Sequence, residues 1–309
     1  MKKTKSGSYR LFLASAIMTL AVCAGASADE TTLPASLEEA YVSYLGPQGT
    51  YTEEAAQFFF ENNENLIPKA TVEEAIEDVA AGNADYAVIP QENTVGGAVV
   101  NYVDALIAQD NIFVIGEVIL PISQTLMGVP GASLEDIQTV CSHAQGIAQS
   151  ARWREENLPD AGTQEMDSTA AAASYVSETG DKTIAAVAAP GAAELYGLSV
   201  LARNVQITDA NKTRFYVLSA LQAEEAHPRA VFAADCAANR IDDIIVELHD
   251  AGLELVTIHD RPEGSQLGTY HYIIEVEDWN KIAREQAEKI KAIPEIRFLG
   301  SFDTTEKKN

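Results

Sequence analysis

Apolar and amphipathic segments alternate along the chain from residue 41 onward. Short apolar runs predict strands, and segments whose apolar residues recur every three or four positions predict helices. In chain order, the predicted elements are strand 41–45, helix 53–61, helix 72–81, strand 86–89, helix 97–108, strand 113–122, strand 139–141, helix 145–156, helix 169–177, strand 184–188, helix 192–196 and strand 214–218. This alternation favours an α/β fold with a largely parallel sheet.

The alternation runs through two rounds, which indicates two α/β lobes within residues 41–221. Two crossings of the chain, near 116–121 and 201–207, would join the lobes and leave a cleft between them. After a linker at 222–228, a smaller unit spans residues 229–302. Its predicted elements are strand 229–235, helix 241–251, strand 253–260, strand 269–277, helix 279–292 and strand 296–301. That βαββαβ order is typical of the ferredoxin-like fold.

Polar clusters lie at the ends of several predicted strands. They occupy positions 46–52, 91–97, 142–145 and 211–215. In open α/β sheets, ligands bind beyond the carboxyl ends of the strands, so clusters placed there converge on one crevice. Thr50 and Glu53 could open the first helix as a capping box. The last cluster sets the hydroxyl of Thr213 beside the guanidinium of Arg214 and the ring of Phe215, which suits a small anionic substrate.

Five short motifs, four of which overlap these clusters, occur in a fixed order. They read Gly46-Pro47-Gln48-Gly49-Thr50, Pro90-Gln91-Glu92-Asn93-Thr94, Ser142-His143-Ala144-Gln145 with Gln149, Ser168-Thr169-Ala170-Ala171 and Asn211-Lys212-Thr213-Arg214-Phe215. In sequence and order they resemble prephenate dehydratase, from about residue 41 to residue 302. Gln91 and Thr94 stand where that family usually has a small apolar residue and a serine, and Ala144 stands where a proline is common.

The resemblance implies a two-lobed catalytic domain whose architecture is shared with periplasmic solute-binding proteins. It implies conversion of prephenate to phenylpyruvate in L-phenylalanine biosynthesis, with loss of carbon dioxide and water and with no metal or cofactor. We expect the Thr213 hydroxyl to hydrogen-bond the leaving oxygen. Glu92 could act as a general acid, or it could orient Asn93 or cap the next helix.

The substrate-binding residues that the resemblance implies come from both lobes. They are Asn93, Ser142, Gln149, Ser168, Thr169, Arg214 and Phe215. The spacing of Ser142, Gln145 and Gln149 would place them on one face of the helix that begins there. Ser168 could also be the N-cap of the next helix. Arg214 could instead form an intramolecular salt bridge, and Phe215 is expected to pack in the core while shaping the pocket.

The unit at 229–302 resembles the ACT regulatory domain that follows the catalytic part in most prephenate dehydratases. Two of its ligand motifs depart from the family. They read Asn239-Arg240-Ile241 in place of Gly-Ala-Leu, and His259-Asp260-Arg261-Pro262 in place of Glu-Ser-Arg-Pro. We therefore expect a homodimer formed through ACT domains, with weak or absent inhibition by the effector L-phenylalanine.

Residues 1–28 resemble an export signal and would direct the chain to the periplasm. A basic start precedes an apolar stretch of about a dozen residues and the small-residue cleavage site Ala26-Ser27-Ala28. That stretch is shorter than the roughly 20 residues of a membrane-spanning helix, so we expect no membrane association after cleavage. Cleavage after Ala28 would remove four positive charges and take the formal net charge from −25 to −29. Such acidity argues against nucleic acid as a partner, and the scattered histidines and cysteines form no metal motif.

Three other functions remain open from the sequence. Arogenate, which differs from prephenate by an amino group, could be the substrate. An export signal and two lobes would also suit a non-catalytic protein that binds an aromatic acid, although the intact motif at 211–215 argues against it. The third is a non-catalytic amino-acid sensor built on the ACT unit, which the two altered ligand motifs disfavour.

Overall fold

The computed structural model describes residues 37–61, 63–99, 101–223, 225–264 and 267–308. The predicted export signal lies outside these residues. The strands are β1 (Val42–Leu45), β2 (Leu66–Lys69), β3 (Tyr86–Asn93), β4 (Gly97–Ala98), β5 (Phe113–Pro121), β6 (Thr125–Gly128), β7 (Thr139–Ser142), β8 (Gly162–Glu165), β9 (Ile184–Ala188), β10 (Ser199–Arg203), β11 (Lys212–Ser219), β12 (Arg229–Ala237), β13 (Glu254–Pro262), β14 (Thr269–Glu277), β15 (Ile296–Phe302) and β16 (Thr304–Glu306). The α-helices are α1 (Tyr51–Phe59), α2 (Val72–Ala80), α3 (Asn101–Ile107), α4 (Ala144–Gln149), α5 (Ala151–Asn157), α6 (Thr169–Thr179), α7 (Pro190–Leu195), α8 (Ile241–Asp250) and α9 (Arg284–Lys291). Short 3-10 helices lie at Leu134–Asp136 and Trp279–Lys281.

The first lobe is built on a sheet with the strand order β16-β5-β11-β3-β1-β2, and β4 pairs with β3. β1 is parallel to β2 and β3, whereas β11 is antiparallel to both β3 and β5. The sheet is therefore mixed, and the prediction of a largely parallel sheet was wrong. The sheet is mixed because β11, which enters it from the second lobe, is antiparallel to both of its neighbours.

Both faces of this sheet are covered, which explains the apolar character of its strands. On one face Tyr44 and Phe215 pack in a buried cluster with Phe60, the residue that follows α1. The start of α1 is set by Thr50, whose hydroxyl accepts from the Glu53 N–H at 3.4 Å. The Glu53 carboxylate accepts from the N–H of Gly49, not of Thr50, so the predicted capping box is only half formed.

The second lobe has the strand order β10-β6-β9-β7-β8, again with parallel and antiparallel pairs. The chain crosses between lobes at residues 122–124 and 204–211. The predicted crossing at 116–121 was wrong, because β5 stays paired with β11 as far as Pro121. The predicted helix 145–156 is two helices, α4 and α5, which meet at Ser150. There the Ser150 hydroxyl donates back to the Gly146 carbonyl at 2.8 Å, a contact that tends to bend helices.

The C-terminal unit follows the predicted element order, from β12 through α8, β13, β14 and α9 to β15. Its antiparallel sheet has the order β13-β14-β12-β15. One face of this sheet contributes to the core of the first lobe, where Val231, Ile273 and Leu299 join the buried cluster around Val114 and Tyr216. The unit is thus docked on the first lobe through a shared apolar core.

Beyond the C-terminal unit the chain returns to the first lobe. β16 pairs in parallel with β5, and the Lys307 N–H donates to the Ile119 carbonyl at 3.0 Å. Two ion pairs accompany the strand, Lys212 with Glu306 at 2.6 Å and Lys307 with Glu54 at 2.8 Å. No helix in the described part of the chain is long and apolar enough to cross a membrane.

Candidate active site

Asn93 and Thr213 lie opposite each other at the ends of β3 and β11 that point toward the second lobe. The register pairs Thr213 with Asn93 and Arg214 with Glu92. Both Asn93 and Thr213 are buried, and the Asn93 amide donates to the Thr213 hydroxyl at 2.9 Å. Because the Thr213 oxygen accepts this bond, its own proton remains available to a group in the cleft.

The Asn93 side chain is held by bonds on both of its polar atoms. Its nitrogen also faces Asn211 Oδ1 at 2.8 Å and the Lys212 carbonyl at 3.1 Å. Its oxygen accepts from the backbone N–H groups of Val95 at 3.0 Å and Gly96 at 2.8 Å. An amide whose oxygen meets only donors and whose nitrogen meets only acceptors has one satisfied orientation. The amide nitrogen is therefore the atom of Asn93 that faces the hydroxyl on the opposite strand.

A hydrogen bond from the second lobe reaches the same amide. Gln145, in α4, donates from Nε2 to Asn93 Oδ1 at 3.0 Å. Gly96 leaves room for this contact, since a Cβ there would lie 2.2 Å from Gln145 Nε2. In a separate contact, the Tyr196 hydroxyl donates to the Gln48 carbonyl at 2.7 Å. The lobes thus meet across the predicted cleft, with Asn93 on the boundary.

Arg214 is surrounded by carboxylates. It donates from Nη2 to both oxygens of Glu275, at 2.6 and 2.7 Å, and from Nη1 to Glu92 at 3.2 Å. A fourth bond runs from Nε to Glu117 at 2.5 Å. Burial acts to lower the pKa of Arg214, but attraction to Glu275 and Glu117 outweighs it and raises the pKa. The guanidinium therefore forms the intramolecular salt bridge that the sequence left open, and a contact with substrate stays a prediction.

The three carboxylates around Arg214 differ in exposure. Glu117 and Glu275 are fully buried. Desolvation raises the pKa of Glu117, although Arg214 and a 2.6 Å bond from the Thr304 hydroxyl favour its anion. Glu92 keeps 32 % of its side chain exposed. Among the three it alone has an exposed side chain, and its role as an acid remains a prediction.

Ser142 and Gln149 are both engaged by neighbouring protein groups. Ser142 is fully buried and donates to the Val187 carbonyl at 2.6 Å. It ends β7, so the prediction that it shares a helix face with Gln145 and Gln149 was wrong. Gln149 is buried and accepts from Gln124 Nε2 at 3.0 Å. Contact of either side chain with substrate stays a prediction.

Ser168, Thr169 and Phe215 have clear structural roles. The Ser168 hydroxyl accepts from the Ala171 N–H at 2.9 Å, which confirms it as the N-cap of α6. Thr169 is the first residue of that helix and is half-buried. Phe215 is fully buried beside Val217 in the core of the first lobe. The N-terminus of α6 keeps the potential to attract an anion.

Three buried polar atoms near the junction of the lobes were not predicted from the sequence as part of the site. They are Asn211 Nδ2, Gln124 Oε1 and Thr125 Oγ1, which are buried without a hydrogen-bond partner in the described structure. Asn211 lies inside a recognised motif and could have been found, whereas nothing in the sequence distinguishes Gln124 or Thr125. Buried polar atoms are nearly always paired, so these atoms are suited to a polar ligand. Within the described residues, no cluster of His, Cys, Asp and Glu could hold a metal ion.

The two altered motifs of the C-terminal unit lie at one end of its sheet. Ala237, just before the first motif, pairs with Thr269, and Pro262 of the second motif pairs with Tyr270. Within the first motif, Asn239 precedes the helix that begins at Ile241. These residues are thus placed to contribute to one site, although their role toward a ligand is untested.

Three of these motif residues bind other parts of the protein. Arg240 donates to Glu295 at 3.1 Å and to Glu247 at 2.9 Å. Residues of the second motif contact α3 of the first lobe instead. The Tyr102 hydroxyl lies 2.6 Å from His259 Nδ1, and Arg261 Nη2 donates to Asp104 at 2.9 Å. Burial lowers the pKa of His259, whereas Asp260, next to it, is exposed.

Fold and site together define a two-lobed α/β protein with a polar site on the boundary of its lobes. The sequence profile of the prephenate dehydratase family matches residues 42–223, more than half of the chain. The chain belongs to the prephenate dehydratase family, whose activity makes it a lyase.

Named relatives agree with this assignment. Prephenate dehydratase of Amycolatopsis methanolica is 34 % identical over 272 residues, which are 84 % of this chain and 88 % of the relative. The bifunctional chorismate mutase/prephenate dehydratase of Neisseria gonorrhoeae is 33 % identical over 85 % of this chain and 74 % of its own. A solved prephenate dehydratase from Arthrobacter aurescens, in complex with L-Phe, superposes with a TM-score of 0.74 at 31 % identity. That match covers 84 % of this chain and 89 % of the other.

Proposed function

We propose that the chain converts prephenate to phenylpyruvate and that the pair of Asn93 and Thr213 stabilises the departing oxygen. The observation that carries this proposal is the 2.9 Å bond between them at the boundary of the lobes. In the reaction the ring carboxylate leaves as carbon dioxide, and its bonding electrons complete the aromatic ring. The ring hydroxyl leaves with a proton as water. Aromatisation drives the step, so the protein has mainly to hold the dianion and stabilise the oxygen.

The residues around this pair divide the work as follows. Asn93 holds the Thr213 oxygen, so that the Thr213 proton is directed to the leaving oxygen. Glu92, which precedes Asn93 on β3, is proposed to supply the proton that completes water. Asn211 Nδ2 is buried, has no hydrogen-bond partner among the described residues and belongs to a side chain of the same network, so it is available to donate to the substrate.

The test is incubation of the purified protein with prephenate, with phenylpyruvate as the readout. Thr213→Ala should lose turnover by a factor on the order of 10², as for other lost transition-state donors, while still binding substrate. Thr213→Ser keeps the hydroxyl and is the matched control, so it should retain much of the rate. Near-normal turnover by Thr213→Ala would remove Thr213 from the mechanism.

Rate measurements on the same purified protein identify the preferred substrate. Rates with prephenate and with arogenate, measured side by side, distinguish the two dehydratase activities. Binding of either compound without turnover by the folded wild-type protein would instead support the non-catalytic binding function.

We further propose that the C-terminal unit is an ACT domain that pairs two chains and responds weakly to L-phenylalanine. Support comes from its βαββαβ order and from the two altered motifs at one end of its sheet. The Arthrobacter aurescens relative was solved with L-Phe, which makes phenylalanine the effector to test. Light scattering should show a dimer, and phenylalanine should inhibit little. Strong inhibition with saturable binding would show that Asn239 and His259 still form a working site.

We also propose that the chain is exported and cleaved after Ala28. The support is the order of basic, apolar and Ala-Ser-Ala segments in residues 1–28. N-terminal sequencing of the native protein from an extracytoplasmic fraction should find Asp29 as the first residue. Recovery from the cytoplasm with Met1 in place would contradict the proposal.

A further inference from the structure

A β-bulge determines whether Asn93 can face Thr213. β3 pairs Glu92 with Arg214, but the next pair along β11 joins Pro90 with Phe215. Gln91 is thus the extra residue on β3. A shift of one residue in strand register turns side chains to the opposite face, and bulges commonly re-aim side chains beside active sites. The bulge at Gln91 therefore controls the geometry of the proposed catalytic pair.

One carboxylate from the C-terminal unit contacts both strands at this bulge. Glu275, fully buried on β14, accepts from Arg214 Nη2 at 2.6 and 2.7 Å and from the Tyr216 hydroxyl at 2.8 Å. On the other strand, Gln91 Nε2 lies 3.4 Å from the same carboxylate and donates to the Tyr216 hydroxyl at 2.9 Å. Glu275 thus binds residues on both sides of the shift in β11 as well as the extra residue of β3.

The charge of Glu275 is compensated within the protein. Arg229 donates to it at 2.7 Å from the start of β12, in addition to Arg214. The amide oxygen of Gln91 has no hydrogen-bond partner among the described residues, so the side chain contributes through its amide nitrogen.

We propose that Glu275 is a positioning residue for the reaction, which holds the bulge at Gln91 and thereby keeps Asn93 opposite Thr213. The proposal rests on the proposed function. It assigns to the C-terminal unit a role in the chemical step itself, separate from any response to an effector. The C-terminal unit thus fixes the strand pairing in the first lobe, and β3 is held through the contacts of Gln91 with Tyr216 and Glu275.

The test compares three variants in the full chain. Gln91→Met keeps length and volume but removes the donor, and Glu275→Gln removes the charge while keeping the shape. Glu277→Gln is the matched control, because Glu277 lies two residues further on β14 and binds Arg229 at 2.8 Å. With prephenate, the first two should lose kcat by a factor on the order of 10, within the roughly 10²-fold that a 1 Å misplacement can cost. KM should stay within about twofold of the wild-type value, and Glu277→Gln should behave like wild type.

If Glu275 and Gln91 only stabilised the fold, their variants would have a lower folded fraction and a lower melting temperature. The folded molecules would then not show a loss of kcat at an unchanged KM. Wild-type kcat in folded Gln91→Met would overturn the proposal, as would an equal loss of kcat in Glu277→Gln. If Glu275→Gln fails to fold, Gln91→Met decides alone. Hydrogen exchange of peptides covering 89–95 and 211–217 gives a readout that needs no turnover, and faster exchange in Gln91→Met is expected. An inactive wild-type protein would defeat the proposed function, whereas unchanged exchange would defeat the positioning role.

Discussion

The contact between Gly96 and Gln145 allows a test of how the two lobes cooperate. In Gly96→Ala the new Cβ would lie 2.2 Å from Gln145 Nε2, well inside contact distance. The obstacle is the end of a flexible side chain, so Gln145 must move away. The backbone of Gly96 is outside the left-handed region, so alanine adds no strain of its own. The expected loss is the bond from Gln145 to Asn93 Oδ1, which measures 3.0 Å.

The cost follows from what remains after that bond is lost. Asn93 Oδ1 still accepts from Val95 and Gly96, and Gln145 is partly exposed, so no buried group is left unsatisfied. A net hydrogen bond contributes about 0.5–1.5 kcal/mol. If closure of the lobes is needed for turnover, kcat/KM with prephenate should fall roughly 2-fold to 12-fold. The midpoint of urea denaturation should change little.

Steady-state rates of a double-mutant cycle separate this contact from other effects. Gln145→Ala should match Gly96→Ala, and the double variant should be no worse than either single one. Gly191→Ala serves as control, because a Cβ at that glycine of the second lobe meets nothing within 4 Å. Unchanged kcat/KM in Gly96→Ala, or an effect of full size in the Gln145→Ala background, would refute the reasoning.

Two further predictions concern stability. Gly300→Ala should destabilise the fold by about 1–3 kcal/mol or more, because Gly300 has φ +126° and its Cβ would lie 2.3 Å from the Val114 carbonyl oxygen. Gly82→Ala, with φ +73° and no described atom within 4 Å of the added Cβ, measures the strain alone, and an equal loss there in urea denaturation would exclude the contact. For pH, burial lowers the pKa of His259, so the unfolded chain binds more protons than the folded one between that pKa and about 6.5. Stability should therefore fall as pH decreases through this window. In His259→Gln the melting temperature should depend less on pH, whereas a change of the exposed His249 to Gln should leave that dependence as it is. Identical pH dependence in His259→Gln and the wild type would contradict a role for His259.

The strands and helices that build the cores could be predicted from the sequence, because burial imposes its period on them. α6 is an example. Ser168 caps its start, an alanine-rich run fills it, and Gly180 ends it in a left-handed conformation. β8 could not be predicted, since all four of its residues are exposed and carry no apolar pattern. The strand forms because its backbone pairs in parallel with that of β7.

The candidate site, like the fold, could be predicted from the sequence only in part. The polar clusters at strand ends were expected to converge, and the register does place Asn93 opposite Thr213 at the ends of β3 and β11. The surroundings of Arg214 could not be predicted, because its partner Glu275 is 61 residues away in the chain. That partner lies in a unit whose docking depends on a complete apolar surface. Sequence patterns describe one element at a time and carry little information about which surfaces will meet.

The return of the chain to the first lobe as β16 has a consequence for the order of synthesis. A ribosome makes residues 304–306 after β5 and after the whole C-terminal unit, yet they form the outer strand beside β5. Until then the first lobe carries β5 as an open edge, and such edges invite pairing with other chains. A nascent or truncated chain should therefore depend more on chaperones than the finished one. A fusion partner attached directly after Glu306 would adjoin this strand, whose pairing with β5 closes the edge.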